Sequence, residues 1–318
     1  MRKARVKAFA KVNLTLEILG RRADGFHDLR TVFQTISLHD TIDIQFTPGR
    51  RSDVDLDSNF QIENNLIVRA AEAVLGETNA KGRAGFVLRK RIPMGGGLGG
   101  GSADAAAVLL ALPVLTGRPI EWVRLVEIGA TLGSDVPFFL LGGTALGLGR
   151  GTELYPLKDA KRTRGLIVAP GIHVSTPEAF KALQRPLTWD YSSPKINTSQ
   201  QVALSLDGAT RVALGEWAEF CSNDFEAAVF RRHPRLGVIK RKLKQFGARM
   251  ALMSGSGSSV YGVFESAETV QRAQAAFPGE KVFPISFVSR ARYYAAWWQQ
   301  LSEHIQGREW PPHSRYAR

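Results

Sequence analysis

The sequence Pro93-Met94-Gly95-Gly96-Gly97-Leu98-Gly99-Gly100-Gly101-Ser102 places six glycines within seven consecutive residues. It follows residues 85–92, which predict a strand, and precedes the Ala- and Leu-rich residues 103–112, which predict a helix. Glycines at such a junction cost backbone entropy, and a flexible linker would not be expected between these two elements. Peptide N–H groups without Cβ atoms around them can close on phosphate oxygens, and a helix N-terminus attracts the same anion. The stretch therefore predicts a phosphate-binding loop.

Two common phosphate loops match this stretch poorly. A Walker A loop needs a lysine directly before its Ser or Thr, and glycine occupies that position here. The dinucleotide-binding pattern is formally met by Gly95, Gly97 and Gly100. However, the acid expected about twenty residues later should end a second strand, whereas Glu121 opens a predicted helix. A different type of phosphate loop is therefore needed.

Length and composition limit the class of protein. The chain has 318 residues, which suggests about two domains, and its 44% hydrophobic and 22% charged residues are typical of a globular protein. The densest apolar run, residues 105–115, contains Pro113 and is far shorter than the roughly 20 residues of a membrane span. Cys221 is the single cysteine, which excludes an internal disulfide and a cysteine-based zinc site and suggests a cytoplasmic location. The first residues lack a signal-peptide core and are expected to belong to the fold.

The charge balance favours anionic partners. Forty-two Lys and Arg residues stand against 29 Asp and Glu residues, a net charge of +13. Phosphorylated small molecules, nucleic acids and acidic membranes would all be attracted to such a chain. The basic residues are scattered, whereas a nucleic-acid-binding protein concentrates them in one patch. We therefore expect a small anionic substrate, with no nucleic-acid or membrane partner.

Hydrophobic periodicity predicts a mixed α and β chain. In residues 12–18 the apolar side chains alternate, which predicts a strand with Lys11, Asn13 and Thr15 on its opposite face. Further predicted strands are residues 42–46, 166–169 and 282–287, with a β-like pair around residues 254–258. Predicted helices are residues 65–74 with Asn64 or Asn65 as cap, 120–132, 236–246 and 267–276. Residues 186–198 are polar and suggest a surface excursion, and a domain boundary is expected near residue 160.

Residues 93–103, through Ala103, resemble the phosphate loop of the GHMP kinase superfamily, which includes galactokinase, homoserine kinase and mevalonate kinase. The superfamily pattern P-x-x-x-G-L-G-[SG]-[SG]-[SA] is matched throughout. The resemblance implies a two-domain α+β fold. A ribosomal-protein-like nucleotide-binding domain would span residues 1–160, and a ferredoxin-like α/β sandwich would span residues 161–290. The resemblance leaves the aromatic and basic tail, residues 291–318, without a role.

The superfamily resemblance also implies the cofactors. ATP would bind to residues 93–103, and Asn65 and Lys90 would lie on the adenine side. Magnesium would accompany the nucleotide, with Ser102 as one ligand. The chain would act as a monomer or a homodimer.

Three further stretches resemble one branch of this superfamily. They are Ala10-Lys11-Val12-Asn13-Leu14, residues 23–29 (ADGFHDL) and residues 133–137 (GSDVP). Members of this branch use ATP to phosphorylate the 2-hydroxyl of a methylerythritol linked to cytidine diphosphate, in the non-mevalonate route to isoprenoid precursors. The resemblance implies that Asp135 is the general base and that Lys11 stabilises charge beside it.

The same resemblance assigns the substrate contacts. Asn13 would lie near the reacting hydroxyl. Phe26 and Phe180 would stack on the cytosine, with Thr176 in the same segment as Phe180, and His27 would read the edge of the base. The branch often has tyrosine where this chain has Phe26, so a hydroxyl group is missing there.

Two other functions remain open at this stage. The first is a different GHMP kinase, of the homoserine or mevalonate type. The second is a basic RNA-binding protein without catalysis, since the N-terminal domain of the superfamily resembles one found in ribosomal proteins and translation factors. The second alternative explains the net charge but gives no reason for Lys11 and Asp135.

Overall fold

The computed structural model describes residues 1–22, 24–60, 64–183 and 221–317. Within them the chain forms two β-sheets, each accompanied by helices. The strands of the N-terminal sheet are β1 (Arg2–Arg21), β2 (His27–Pro48), β3 (Asp53–Ser58), β4 (Gly82–Arg89), β5 (Thr144–Leu148) and β6 (Glu153–Pro156). The strands of the C-terminal sheet are β7 (Arg164–Ala169), β8 (Met250–Met253), β9 (Val260–Phe264) and β10 (Lys281–Ser286).

A long hairpin organises the N-terminal sheet. Strands β1 and β2 pair antiparallel along almost their whole length, with register shifts after Phe9, Asn13 and Ile18. On the opposite side of β2, β4 pairs with residues 41–48 and β5 with residues 31–34. The strands predicted at residues 12–18 and 42–46 are confirmed, but both are much longer than predicted because the register shifts interrupt the simple alternation.

Four helices accompany this sheet: α1 (Leu66–Thr78), α2 (Gly100–Thr116), α3 (Trp122–Leu132) and α4 (Val136–Leu141). The predicted cap of α1 is confirmed, because the side chain of Asn65 accepts the N–H of Ile67. Helix α2 differs from its prediction. It begins at Gly100 rather than at residue 103, and it continues through Pro113. Every residue from 103 to 115 is buried, so packing outweighs the cost of an internal proline.

The C-terminal sheet has the strand order β10-β7-β9-β8, with all neighbours antiparallel. Its helices are α5 (Thr176–Ala182), α6 (Phe225–Arg232), α7 (Pro234–Gln245) and α8 (Ala267–Ala275). The elements predicted at residues 166–169, 236–246, 267–276 and 282–287 are confirmed. The β-like pair predicted around residues 254–258 is confirmed, because β8 and β9 pair on either side of these residues, which form the turn between them. The predicted excursion at residues 186–198 lies outside the described residues.

Strand β1 connects the hydrophobic cores. Its residues 6–9 pack with the N-terminal helices, residues 10–14 pack between the two sheets, and residues 16–18 pack with the C-terminal helices. The predicted boundary near residue 160 falls between β6 and β7. A pocket that lies against β1 is therefore built by both halves of the chain.

The C-terminal tail belongs to the N-terminal core. Helix α9 (Arg290–Gln300) buries Tyr293 and Trp297 there, and the hydroxyl of Tyr293 donates to the carbonyl oxygen of Phe139 at 2.5 Å. Further along the tail, Trp310 stacks on Tyr294 with ring centroids 3.8 Å apart. The aromatic residues of the tail therefore stabilise the fold. Across the described ranges, no helix has the length and apolar character needed to cross a membrane.

Candidate active site

A pocket of about 810 Å³ opens between β1, the glycine loop and helix α5. We define the inner end of the pocket as Lys11, Asn13 and Asp135. Its outer end consists of Phe26, His27, Arg150 and Phe180, together with Thr176. Gly97 and Gly99 of the glycine loop also line the pocket. The structure thus brings together the two predicted catalytic residues, the five predicted substrate contacts and two glycines of the predicted phosphate loop.

The inner end is a network of polar contacts around the buried side chains of Lys11 and Asn13. Lys11 is only 3% exposed, and its Nζ lies 3.4 Å from Oδ2 of Asp135 and donates to Oδ1 of Asn13 at 2.8 Å. That same amide oxygen accepts the N–H of Gly255 at 3.1 Å, while Nδ2 of Asn13 donates to Oγ1 of Thr31 at 2.7 Å. Every polar group of Asn13 is engaged, so the lysine ammonium is held in a single place beside the carboxylate.

A tight corner between two helices positions Asp135. Helix α3 ends at Gly133, whose N–H bonds back to the carbonyl oxygen of Gly129, and Asp135 is the residue that precedes α4. In the structure Pro137 lies in the first turn of α4, where proline fits because the first helical N–H groups have no partner. Both helix ends therefore fix the carboxylate at the pocket surface.

Close packing explains two glycines of the loop. A Cβ atom on Gly97 would lie 2.0 Å from the carbonyl oxygen of Ser254, and one on Gly99 would lie 3.3 Å from Cε of Lys11. Both residues also have positive φ, +73° and +71°, which favours glycine. The carbonyl oxygen of Leu98 accepts the N–H of Lys11 at 3.1 Å. The loop is thereby attached to β1 and to the turn before β9, directly beside the catalytic candidates.

The outer end is built mainly from contacts between rings. His27 stacks on Phe180 with centroids 4.4 Å apart and planes 18° apart, and the guanidinium carbon of Arg150 lies 3.5 Å from the ring centroid of Phe26. Burial, assisted by the charge of Arg21, lowers the pKa of His27 below its usual value. The sequence paired Phe26 with Phe180 around a base, whereas the structure pairs Phe180 with His27. The assigned roles of these residues stay predictions.

Two predicted nucleotide contacts lie away from the pocket. Asn65 uses its side chain to cap α1. Lys90 is buried behind the glycine loop, where its Nζ binds Oδ2 of Asp40 at 2.6 Å and Oδ2 of Asp104 at 2.8 Å. This buried triad accounts for Lys90 structurally, and contacts of Lys90 or Asn65 with adenine stay predictions. Burial raises the pKa of Asp104 to about 7, despite the opposing charge of Lys90.

Sequence reasoning missed the two carboxylates of the triad and also missed Arg150. A signal for Asp40 exists, because it is the one charged residue among the alternating buried positions 36, 38, 40, 42, 44 and 46 of β2. Oδ1 of Asp40 accepts the N–H groups of Arg91 and Ile92, the residues that lead into the glycine loop. An acid on an otherwise apolar strand face indicates a buried ion pair.

Comparison with known proteins agrees with the fold. The family described as "GHMP kinases N terminal domain" matches residues 65–143, and "GHMP kinases C terminal" matches residues 208–282. The fold is that of a GHMP kinase. A 4-diphosphocytidyl-2-C-methyl-D-erythritol kinase of Solibacter usitatus is 50% identical over 315 residues, which cover 99% of this chain and 98% of the relative. The chain belongs to the 4-diphosphocytidyl-2-C-methyl-D-erythritol kinase family.

Solved structures support this membership. A crystal structure of 4-(cytidine 5'-diphospho)-2C-methyl-D-erythritol kinase matches with a TM-score of 0.72 and 34% identity, covering 89% of this chain and 98% of that one. A homoserine kinase from Cytophaga hutchinsonii matches with a TM-score of 0.63 and 18% identity over 91% of this chain and 96% of that one, which shows a shared fold only. The likeness to the Solibacter protein covers 99% of this chain, so it extends into the C-terminal tail, to which the superfamily resemblance gave no role.

Proposed function

We propose that this chain transfers the γ-phosphoryl group of ATP to the 2-hydroxyl of 4-diphosphocytidyl-2-C-methyl-D-erythritol. The observation that carries the proposal is the contact between Lys11 and Asp135, 3.4 Å apart at the inner end of the pocket. The glycine loop lies on one side of this pair, and the rings of the outer end lie on the other. A phosphate donor and a base-bearing acceptor can therefore approach the pair from opposite directions.

The proposed reaction begins at Asp135. Its carboxylate accepts the proton of the substrate hydroxyl while the hydroxyl oxygen attacks the γ-phosphorus. The bond between that phosphorus and the β,γ-bridging oxygen breaks, and the electron pair leaves with ADP. Lys11 stabilises the negative charge on the phosphoryl oxygens during transfer, and its hydrogen bond to Asn13 keeps the ammonium in position.

The glycine loop would hold the triphosphate of ATP. Its exposed peptide N–H groups and the N-terminus of α2, which begins at Gly100, provide donors and a favourable dipole for phosphate oxygens. Close packing of Gly97 against Ser254 supports the loop from behind. This assignment extends to residues 93–103 as a unit rather than to any single glycine.

Magnesium would arrive with the nucleotide. Among the described residues, no group of three or more His, Cys, Asp or Glu side chains is arranged to hold a metal ion. An ATP-bound Mg²⁺ needs only one or two protein oxygens, and the hydroxyl of Ser102 lies beside the turn that carries Asp135, 3.5 Å from the place of a Cβ on Gly133. Ser102 would thus hold an ion that neutralises part of the phosphate charge.

The outer end would bind the cytidine. Stacking of aromatic rings on a nucleobase contributes roughly 1–3 kcal/mol per base. The rings of Phe26 and Phe180 offer this contact, and His27, kept neutral by its lowered pKa, can both donate to and accept from the edge of the base. The hydroxyl of Thr176, bonded to Oγ of Ser256 at 2.8 Å, lines the same region.

A substrate panel tests the proposed function. The purified chain should phosphorylate 4-diphosphocytidyl-2-C-methyl-D-erythritol with ATP and Mg²⁺, with little or no transfer to homoserine or mevalonate, as measured by ADP release. Comparable kcat/KM for homoserine or mevalonate would assign the chain to another kinase branch. Salt-sensitive RNA binding that survives Lys11→Ala, without any ATP turnover, would instead favour a binding protein.

A further inference from the structure

The outer end of the pocket carries positive charge without a matching carboxylate. At the inner end, Lys11 is compensated by Asp135. Three other cations line the pocket, namely Arg21, Arg150 and Lys181. Within the described part of the chain, none of these three forms an ion pair. The excess charge suits an anionic part of a ligand that extends from the inner end towards the outer end.

Carboxylates lie near this part of the pocket, but they are paired with another arginine. Arg22 binds both Asp24 and Asp28, at 3.2 Å and 2.8 Å. The carboxylate of Asp24 accepts hydrogen bonds from Arg22 and from the N–H of Phe26. The N–H of Phe26 is the main cause of the lowered pKa of Asp24, and the charge of Arg150 contributes only a little. Arg150 is therefore left with its positive charge unpaired while nearby acids serve other groups.

The position of Arg150 is fixed by its turn. Arg150 lies between β5 and β6, between Gly149 and Gly151, which have φ values of +63° and +87°. The carbonyl oxygen of Gly149 accepts the N–H of Leu29 at 2.7 Å, which joins this turn to the start of β2. The guanidinium carbon lies 3.5 Å from the ring centroid of Phe26. The side chain is thus held over the ring at the edge of the pocket.

The hydrogen-bonding state of Arg150 points to a ligand. Its Nε is buried, and it has no hydrogen-bond partner among the described residues. A buried donor without a partner is costly, and it is commonly satisfied by water or by a ligand. Stacking on Phe26 uses only the face of the guanidinium and leaves the N–H groups along its edge free. These edge donors match two oxygens of a phosphate group.

We propose that Arg150 binds the diphosphate group of the substrate, with Phe26 as the platform that orients its guanidinium. This inference rests on the proposed function, which places the reacting hydroxyl at Asp135 and the cytosine at the outer end. The diphosphate connects these two parts of the substrate and must lie between them. A phenyl ring suffices as platform, so Phe26 needs no hydroxyl group for this role.

Binding of substrate fragments tests the inference. Calorimetry should compare cytidine with cytidine diphosphate on the wild-type chain, Arg150→Ala and Arg150→Gln. We expect both variants to bind the diphosphate at least about tenfold more weakly than the wild type, and cytidine with less than about twofold change. Arg83→Ala, which removes an exposed arginine of β4 outside the pocket, controls for net charge and should change neither affinity.

The possible results separate the two proposals. Unchanged diphosphate affinity in both Arg150 variants would overturn the inference, and so would equal losses for cytidine and cytidine diphosphate, which would make Arg150 a support for the base. Thermal unfolding checks that each variant is folded. A wild-type chain that binds neither fragment would refute the proposed function itself, whereas wild-type binding with unaltered variants refutes only the role of Arg150.

Discussion

The inner and the outer end of the pocket are constructed in opposite ways. At the inner end, Lys11 and Asn13 are buried on β1 and their polar atoms bond to one another, to Thr31 and to the backbone of the C-terminal half. At the outer end, Phe26 is 48% exposed, and the side chains contact one another through ring faces. One end is anchored by directional bonds, and the other is covered by stacked surfaces.

Under the proposed function, this difference corresponds to two tasks. Phosphoryl transfer requires a base and a cation at fixed positions, so the groups that act in the transition state are held before the substrate arrives. A nucleobase can be recognised by stacking on ring faces. In the structure these faces contact other side chains, and a bound base would take the place of those contacts. Substitutions at the inner end should therefore lower kcat, and substitutions at the outer end should mainly raise KM for the acceptor.

Asp135→Asn should have the largest effect. The amide keeps the size of the carboxylate but cannot accept the proton, so kcat should fall by about a thousandfold. Affinity for an ATP analogue should be nearly unchanged, because the glycine loop is intact. Asp55→Asn, at the exposed edge of the sheet, is the control and should retain full activity. Equal turnover in wild type and Asp135→Asn would remove this residue from its role.

Lys11→Met should have the next largest effect. Methionine preserves much of the buried stem and removes the charge that faces Asp135, so kcat should fall by about a hundredfold or more in steady-state assays. The matched control is Lys7→Met, because Lys7 is an exposed residue of the same strand. If Lys11→Met changed only the KM of the acceptor, Lys11 would behave like a residue of the outer end. That result would contradict the difference between the two ends.

Gly97→Ala should disturb the inner end through the loop. The new Cβ would meet the carbonyl oxygen of Ser254 at 2.0 Å, so the loop must shift, and a displacement of about 1 Å can cost a hundredfold in kcat/KM for ATP. Gly95→Ala is the matched control. Its φ is also positive, at +66°, but its nearest neighbour, Nδ1 of His173, is 3.5 Å away. Similar losses in both variants would indicate backbone strain rather than the contact with Ser254.

Phe180→Leu should weaken the outer end selectively. Loss of the stacking surface should raise KM for the cytidine substrate by about tenfold, with kcat and KM for ATP almost unchanged. Phe246→Leu is a control at a partly exposed aromatic residue outside the pocket. A fall in kcat without a change in KM would show that Phe180 also helps to place the reacting group.

Asp104→Asn should produce the smallest effect, in the buried triad behind the loop. In the folded state burial raises the pKa of Asp104 to about 7, so the folded protein binds this proton more tightly than the unfolded chain. The contribution of Asp104 to stability is therefore greatest below about pH 4 and is lost as the pH rises to about 7. The asparagine side chain cannot titrate, so the stability of the Asp104→Asn variant does not fall in this way. The variant should therefore become more stable relative to the wild type as the pH rises from about 4 to about 7.

Thermal unfolding of both proteins between pH 4 and pH 8 measures this difference. A constant gap between the two unfolding curves would show that Asp104 does not titrate in this range. Lys90→Met would be a harsher test, because it leaves Asp40 and Asp104 buried without their shared cation, and it should destabilise the fold by about 3–5 kcal/mol.

Local sequence patterns predicted much of the fold. Alternation and helical periodicity located β1, β2, α1 and the elements of the C-terminal sheet, because each pattern reflects burial of one face of its own element. The ends were less predictable. Helix α2 passes through Pro113 because its whole surface is buried, and that depends on neighbours that no local pattern describes. The tail has the same limitation, since its aromatic residues suit a core and a partner surface equally well.

The site was predictable to a similar extent. The glycine loop, Lys11 and Asp135 were found through the motifs that contain them. Arg150 was missed because a single arginine between two glycines looks like any exposed turn, and only its position over Phe26 and its unpartnered Nε distinguish it.

The sequence by itself determined the type of phosphate loop, the order of most helices and strands, and the class of kinase. These properties have local causes, namely glycine conformation, side-chain periodicity and helix capping. Only the tertiary structure decided that the N–H of Gly255 bonds to Asn13, that His27 covers Phe180, and that Lys90 is buried between two acids. Such contacts join residues far apart in the chain, and they depend on how whole elements pack together.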